Sequence, residues 1–266
     1  MSIDAPAAPA PVSASPSAAA SLAAWFDTPL GRYVYAREQD YFDRAVTDVF
    51  GYNAIQVGLP QLDYLRASRI SHCCRLGLES GVQVRADARD LPLATGSADL
   101  ILLPHVLEFD AHPHQILREV ARALMPEGHV VIAAFNPWSL WGLRRAFGGR
   151  AQAPWNGRFI NLPRIKDWLA LLGFEIVAGR MACYAPPSRE DQWRARFAFM
   201  ESAGDRWWPV AGGVYFLQAV KRVRGLRLIM PKWSDRVAAT KPLVAPVPEK
   251  VRAKEPIVAH AMDRAA

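Results

Sequence analysis

The sequence has no apolar run approaching the roughly 20 residues that cross a bilayer, which excludes a spanning helix. Its opening stretch, Met1 to Ala20, lacks both the basic cluster and the compact Leu/Val/Phe run of a secretory signal and carries Asp4 instead. Rich in Ala, Pro and Ser, it reads as a disordered leader. Cysteine is scarce. Of the three, Cys73 and Cys74 are adjacent and Cys183 is remote, a spacing that makes neither a disulfide framework nor a metal site, so a reducing, cytoplasmic setting is the expectation. At 51% hydrophobic and 21% charged residues over 266 positions, the chain is too apolar for wholesale disorder and long enough for one large domain.

The net charge of +7 is unevenly placed. Lys221 to Lys254 holds ten Lys/Arg against Asp235 and Glu249, whereas residues 1–220 sum to zero. This basic segment also contains Pro231, Pro242, Pro246 and Pro248 and has little apolar periodicity after Trp233, so residues 225–266 read as a flexible tail. Its charge suits weak electrostatic contact with nucleic acid or an anionic membrane surface.

Between leader and tail, residues 21–224 alternate short apolar runs with amphipathic stretches, the pattern of an α/β domain with a largely parallel sheet. One or two helices are expected over Ser21 to Phe50. Strands are expected at Asn53 to Gly58, Ile70 to Leu76, Val82 to Ala86, Ala98 to Leu103, His129 to Phe135, Phe174 to Ala178 and Val214 to Val220. Pro60 to Ser68 reads as a helix with proline in its first turn. Ile116, Leu117, Val120, Ala121 and Leu124 recur at helical spacing, and a further helix starts near Asn161 and stops at Gly173.

The run VRADARDLPLATGSADLILLPHVLEF, from Val84 to Phe109, followed by REVARALMPEGHVVIAAFNP, from Arg118 to Pro137, resembles class I S-adenosylmethionine-dependent methyltransferases of the small-molecule type. The resemblance spans about Gly51 to Val220 and is strongest between Asp87 and Pro137. It implies a Rossmann-like, seven-stranded sheet with helices on both faces and the last strand antiparallel, with the cofactor S-adenosylmethionine at the carboxyl ends of the strands. Carried over, Asp87 matches the acidic residue that accepts from the adenine amine, Ala88 the neighbouring backbone donor, and Gly58 the first glycine of the cofactor turn. Leu103 and Pro104 match the end of the fourth strand beside the cofactor.

Two departures stand out. The family's G-x-G-x-G turn is replaced by Gly58-Leu59-Pro60-Gln61-Leu62, in which proline removes an amide donor and Leu62 adds bulk. The second strand lacks a terminal carboxylate for the ribose hydroxyls, Glu79 being the nearest. Those same absences disfavour a dinucleotide-dependent hydride-transfer enzyme, which needs both the glycines and the acid.

His105, just past the fourth strand, is either a general base beside the transferred methyl group or a structural histidine. Asn136 follows the fifth strand and not the fourth, so Asn136-Pro137-Trp138 reads as a strand-end turn. Asp110, His112 and His114 read as a helix start and not as a metal site. The aromatic and arginine-rich stretches Trp138 to Trp155 and Trp193 to Trp208 are open to two readings: a substrate pocket, with Trp138 and Trp141 as its candidates, or helices packed over the sheet. The expected function is methyl transfer to a small or lipid-like acceptor. The alternative is a non-catalytic protein of this fold that binds a protein or RNA partner.

Overall fold

The structure, a computed structural model, describes residues 18–222 except 80, 189–195, 198 and 209. The expected leader up to residue 17, the tail beyond 222 and Trp193 therefore lie outside the described residues.

Seven strands form one sheet in the order β3-β2-β1-β4-β5-β7-β6. They are β1 (Asn53–Val57), β2 (His72–Gly77), β3 (Val84–Arg85), β4 (Ala98–Pro104), β5 (Leu124–Phe135), β6 (Phe174–Ala182) and β7 (Val214–Lys221). All pairs from β3 to β5 are parallel, and β7 runs antiparallel between β5 and β6, as expected of the sequence. The centre of the sheet, β4, is buried at every position, because both of its faces are covered.

One face is covered by α1 (Ala18–Phe26) and α2 (Pro29–Thr47) together with the segment 59–70. Helix α2 follows from its sequence: Thr28 caps it, its Oγ1 accepting from Gly31 N at 3.1 Å, and Pro29 sits where an amide would go unused. Leu30, Val34, Phe42 and Val46 form its buried stripe at four-residue spacing, and Glu38 falls on the same stripe. The other face is packed by α3 (Pro113–Ala123), through Ile116, Leu117 and Val120, and by α5 (Leu162–Leu171), through Ile165, Trp168 and Leu169. The short helices α4 (Leu140–Phe147) and α6 (Phe199–Trp207) follow β5 and β6. His112 immediately precedes α3 and His114 lies in its first turn, its ring tilted against Trp168 with centroids 3.8 Å apart.

One expectation is overturned. Pro60 to Ser68 forms turns, not a helix. The reason is the wholly buried Gln56 at the end of β1, whose Nε2 points at the carbonyls of Gly58, Leu59 and Leu62 at 3.2, 3.0 and 2.7 Å while its Oε1 accepts from Tyr64 N at 3.1 Å. A side chain thus satisfies backbone groups that would otherwise pair along a helix. Among the described residues between β1 and β4 there is no helix, and β2 reaches β3 through residues 78–83 alone. Parallel strands are normally joined by a dozen or more residues, so this half of the sheet is trimmed to its strands.

Candidate functional site

A cleft of about 770 Å³, open solvent included, lies at the carboxyl ends of β1, β2 and β4. Gly58 and Leu59 after β1, Gly77 to Glu79 at the end of β2, Ala86 to Ala88 after β3 and Pro104 to Val106 after β4 line it; Leu22 of α1 and Phe109 and Asp110 close its sides. Such a position, outside the strand ends of an open α/β sheet, is where ligands bind in this architecture.

Local backbone geometry shapes the cleft. Gly58 turns away from β1 with φ +78°, and a Cβ there would stand 3.0 Å from Val106 Cγ2. Leu59 continues the turn at φ 47°, a conformation a leucine adopts only under constraint, which the Gln56 amide supplies. Glu79 folds back over Gly77, and its buried Oε2 has no hydrogen-bond partner, leaving an unsatisfied acceptor at the end of β2. Asp87 is held by Arg89: Nε donates to Oδ1 at 3.0 Å, Nη2 to Oδ2 at 2.6 Å, and the Arg89 amide to Oδ1 at 2.9 Å. These bonds lower its pKa from the ordinary carboxylate value, so Asp87 offers the cleft a fixed negative charge.

Behind the cleft sits a buried charged cluster. His105 adopts φ 54° after β4; its Nδ1 pairs with Glu108 Oε2 at 2.7 Å and its Nε2 with Glu38 Oε1 at 2.6 Å, all three residues being buried. Glu108 Oε1 accepts from Phe135 N at 2.7 Å, and Tyr64 donates its hydroxyl to Glu38 Oε2. Burial alone would lower the imidazole pKa, but the facing Glu38 and Glu108 carboxylates outweigh it and raise the value to about 10. His105 is therefore an imidazolium with both ring N–H groups already donated. It lines the cleft but has no lone pair with which to take a proton, and the geometry favours the structural of its two readings.

Over the carboxyl ends of β4 and β5, the space is filled by side chains. Phe135 stacks on Trp141 at 5.9 Å and on Phe159 at 5.1 Å; Trp25 meets Phe135 and Trp141 edge-on, and Trp155 packs against Trp141 and Phe159. Trp141 is wholly buried and donates its indole N–H to Ala185 O at 3.1 Å. Trp138, by contrast, is 76% exposed and borders a separate groove with Arg158, Arg164 and Trp168. Neither of the two substrate candidates lines the cleft, because α4 turns its buried face onto the sheet and carries Trp141 inward. Arg144 lies over the Trp155 ring and Arg145 over Phe159, so these arginines cover aromatic surface. Asn136 is a turn residue, donating to Val210 O and Gly212 O and accepting from Trp138 N.

The cleft thus gathers Gly58, Asp87, Ala88, Pro104 and His105, while Leu103 is buried within β4 one residue short of it. Sequence reasoning missed Leu22, Phe109 and the buried pair Glu38 and Glu108. For Glu38 a signal existed, an acid on the apolar stripe of α2; Leu22 reaches the cleft only through the packing of α1.

The strand order, the antiparallel β7 and the cleft over β1, β2 and β4 define the class I methyltransferase architecture. The family model described as "Methyltransferase domain" matches residues 65–132, and over that stretch the chain is similar to S-adenosylmethionine-dependent methyltransferases. The chain is 35% identical over 156 residues to the uncharacterized protein YafS of Escherichia coli, covering 58% of this chain and 65% of that one. It is 34% identical over 100 residues to the malonyl-[acyl-carrier protein] O-methyltransferase of Laribacter hongkongensis, covering 38% of this chain and 34% of that one. In both comparisons the match spans less than two thirds of the relative's length. Among solved structures, the fold is shared with a SAM-dependent methyltransferase of Thermotoga maritima described as a possible histamine N-methyltransferase, at TM-score 0.56 and 17% identity over 75% of this chain and 94% of that one. It is also shared with a SAM-dependent methyltransferase of Archaeoglobus fulgidus, at TM-score 0.51 and 16% identity over 71% and 94%.

Proposed function

We propose that the protein is a methyltransferase that holds S-adenosylmethionine in the cleft over β1, β2 and β4 and passes its methyl group to a small or lipid-like acceptor. The observation that carries this reading is the set of groups the cleft brings together, whose chemistry fits the cofactor part by part. Asp87 is an acceptor-only carboxylate suited to an adenine amine, beside Ala88. The Glu79 carboxylate, two residues past the strand, lines the cleft and supplies the acceptor for ribose hydroxyls that β2 itself lacks, its buried Oε2 turning out from over Gly77 to do so. The Gly58-Leu59 turn lets backbone approach the methionine portion without a Cβ at its first position.

The cofactor supplies an electrophilic sulfonium methyl group, and the enzyme's contribution is to hold the acceptor in line with it. His105 takes no proton, since both of its ring nitrogens face carboxylates. The acceptor therefore arrives with its electron pair available, as a carboxylate or thiolate does, or releases its proton to Asp110 at the cleft edge or to water. The filled space over β4 and β5 supports a second reading, a protein that keeps the fold and binds a partner without catalysis.

Isothermal titration with S-adenosylmethionine and its demethylated product tests the proposal. Binding is expected, and Asp87→Ala should weaken it by about 1.5–3 kcal/mol, the worth of a charge-assisted hydrogen bond. No binding at millimolar cofactor would refute the enzyme reading; binding unaffected by Asp87→Ala would place the adenine elsewhere.

A further inference from the structure

The segment from Asn136 to Lys166 contains Arg144, Arg145, Arg150, Arg158, Arg164 and Lys166 and not one Asp or Glu. Helix α4 lies within it. Its inner side is Trp141 and Gly142, both buried, and its outer side presents Leu140, Leu143 and Phe147, spaced i, i+3, i+7 and 42%, 53% and 86% exposed. Three large apolar side chains on one helical stripe, facing solvent, are not what a surface helix needs for its own fold. The stripe is not isolated. Trp138 stands just before α4, and Asn136 ties that turn to the 210–212 turn, whose Val210 is also exposed. Trp207 and Trp208, at the end of α6, are exposed beside it in sequence.

We propose that this face, α4 with its flanking turns, docks the protein on an anionic lipid bilayer, with Phe147, Leu143 and the exposed tryptophans entering the interfacial layer and the exposed Arg150 and Arg158 meeting lipid phosphates. The composition is that of an interfacial helix: large apolar groups on one side, cations around them, and indoles, which are at home where one end is apolar and the other wet. An acidic protein would complement the charge equally well. It would also have to match the shape of side chains projected singly from the turn before α4, from α4 and from the end of α6, a demand a fluid bilayer does not make. The inference goes beyond methyl transfer, because vesicle binding reports on the surface and not on the reaction.

The test is co-sedimentation of the full chain with vesicles of phosphatidylglycerol and phosphatidylcholine, against vesicles of phosphatidylcholine alone, over a range of salt. Binding to the anionic vesicles is expected, falling as salt rises. Leu143→Glu/Phe147→Glu should weaken it about tenfold or more with the basic tail still present. Arg150→Glu/Arg158→Glu should weaken it and flatten its salt dependence. All four positions are exposed, and an unchanged melting temperature confirms that each variant is folded; Phe147→Ser serves where the double variant is not. Binding by Leu143→Glu/Phe147→Glu equal to that of the parent chain would assign the contact to the tail and overturn the proposal. So would an absence of vesicle binding by the parent chain, whether or not it binds an acidic protein.

Discussion

The carboxyl edge of one sheet carries two regions of opposite character. Over β1 and β2 it is open: the cleft is walled by backbone turns, a glycine and partly exposed carboxylates, and no helix lies between β1 and β4 among the described residues. Over β4 and β5 it is closed, filled by Phe135, Trp141, Trp155 and Phe159 and braced by the Glu38–His105–Glu108 cluster. The family resemblance, strongest between Asp87 and Pro137, covers both the packed side and one wall of the cleft, and it is weakest along the turn after β1 that forms the other wall.

The largest way to break the contrast is to open the closed side. Glu38→Ala breaks one of the two buried ion pairs of His105 and leaves the His105 Nε2–H and the Tyr64 hydroxyl without their acceptor, which should cost about 3–5 kcal/mol of unfolding free energy in urea titrations. A loss under about 1 kcal/mol would show that the cluster carries no buried charge. The same cluster sets a pH dependence. Because the folded-state pKa of His105 is raised to about 10 from 6.5, its contribution is complete below about pH 6.5 and is lost as the pH rises through 10. The melting temperature should fall over that window, and His105→Gln should abolish the part of the slope that belongs to this residue; an identical slope in the variant would place the titration elsewhere.

On the open side the effects are smaller and fall on ligand binding as well as on stability. Gln56→Leu leaves the carbonyls of Gly58, Leu59 and Leu62 without their side-chain donor and should cost about 1–3 kcal/mol. It should also weaken cofactor binding, since the turn it holds is a cleft wall; titration that finds the affinity intact would show that the turn persists without its brace. Gly58→Ala forces a Cβ into a left-handed conformation near Val106 and should cost roughly 1–2 kcal/mol of stability. Calorimetric melting with a negligible shift would mean that the turn relaxes at no cost.

Much of the scaffold was legible because its signals are local. Continuous apolar runs gave β4 and β5, the apolar residues of Ser21 to Phe50 gave one or two helices, and Asp87 was found from its motif. The Pro60 to Ser68 helix failed because the competitor for its carbonyls is Gln56, the residue before the last in β1, and nothing in the propensities of 60–68 reports on it. Trp141 looked like a substrate contact for a related reason. An aromatic residue after a strand reads the same whether it faces a pocket or the core, and only the docking of α4 decided that it faces inward.

The sequence by itself determined the order of the strands along the chain, the segregation of charge into a basic tail and an acid-free stretch from 136 to 166, and the positions of Gly58 and Asp87. These depend on spacing and composition along the chain. Tertiary structure alone decided that Glu38, 67 residues from His105 in the chain, supplies a carboxylate that holds this imidazole charged, and that an orphaned acceptor on the cleft belongs to Glu79. Protonation and hydrogen-bond satisfaction depend on which groups burial brings within 3 Å, and that is a property of the fold and not of the chain.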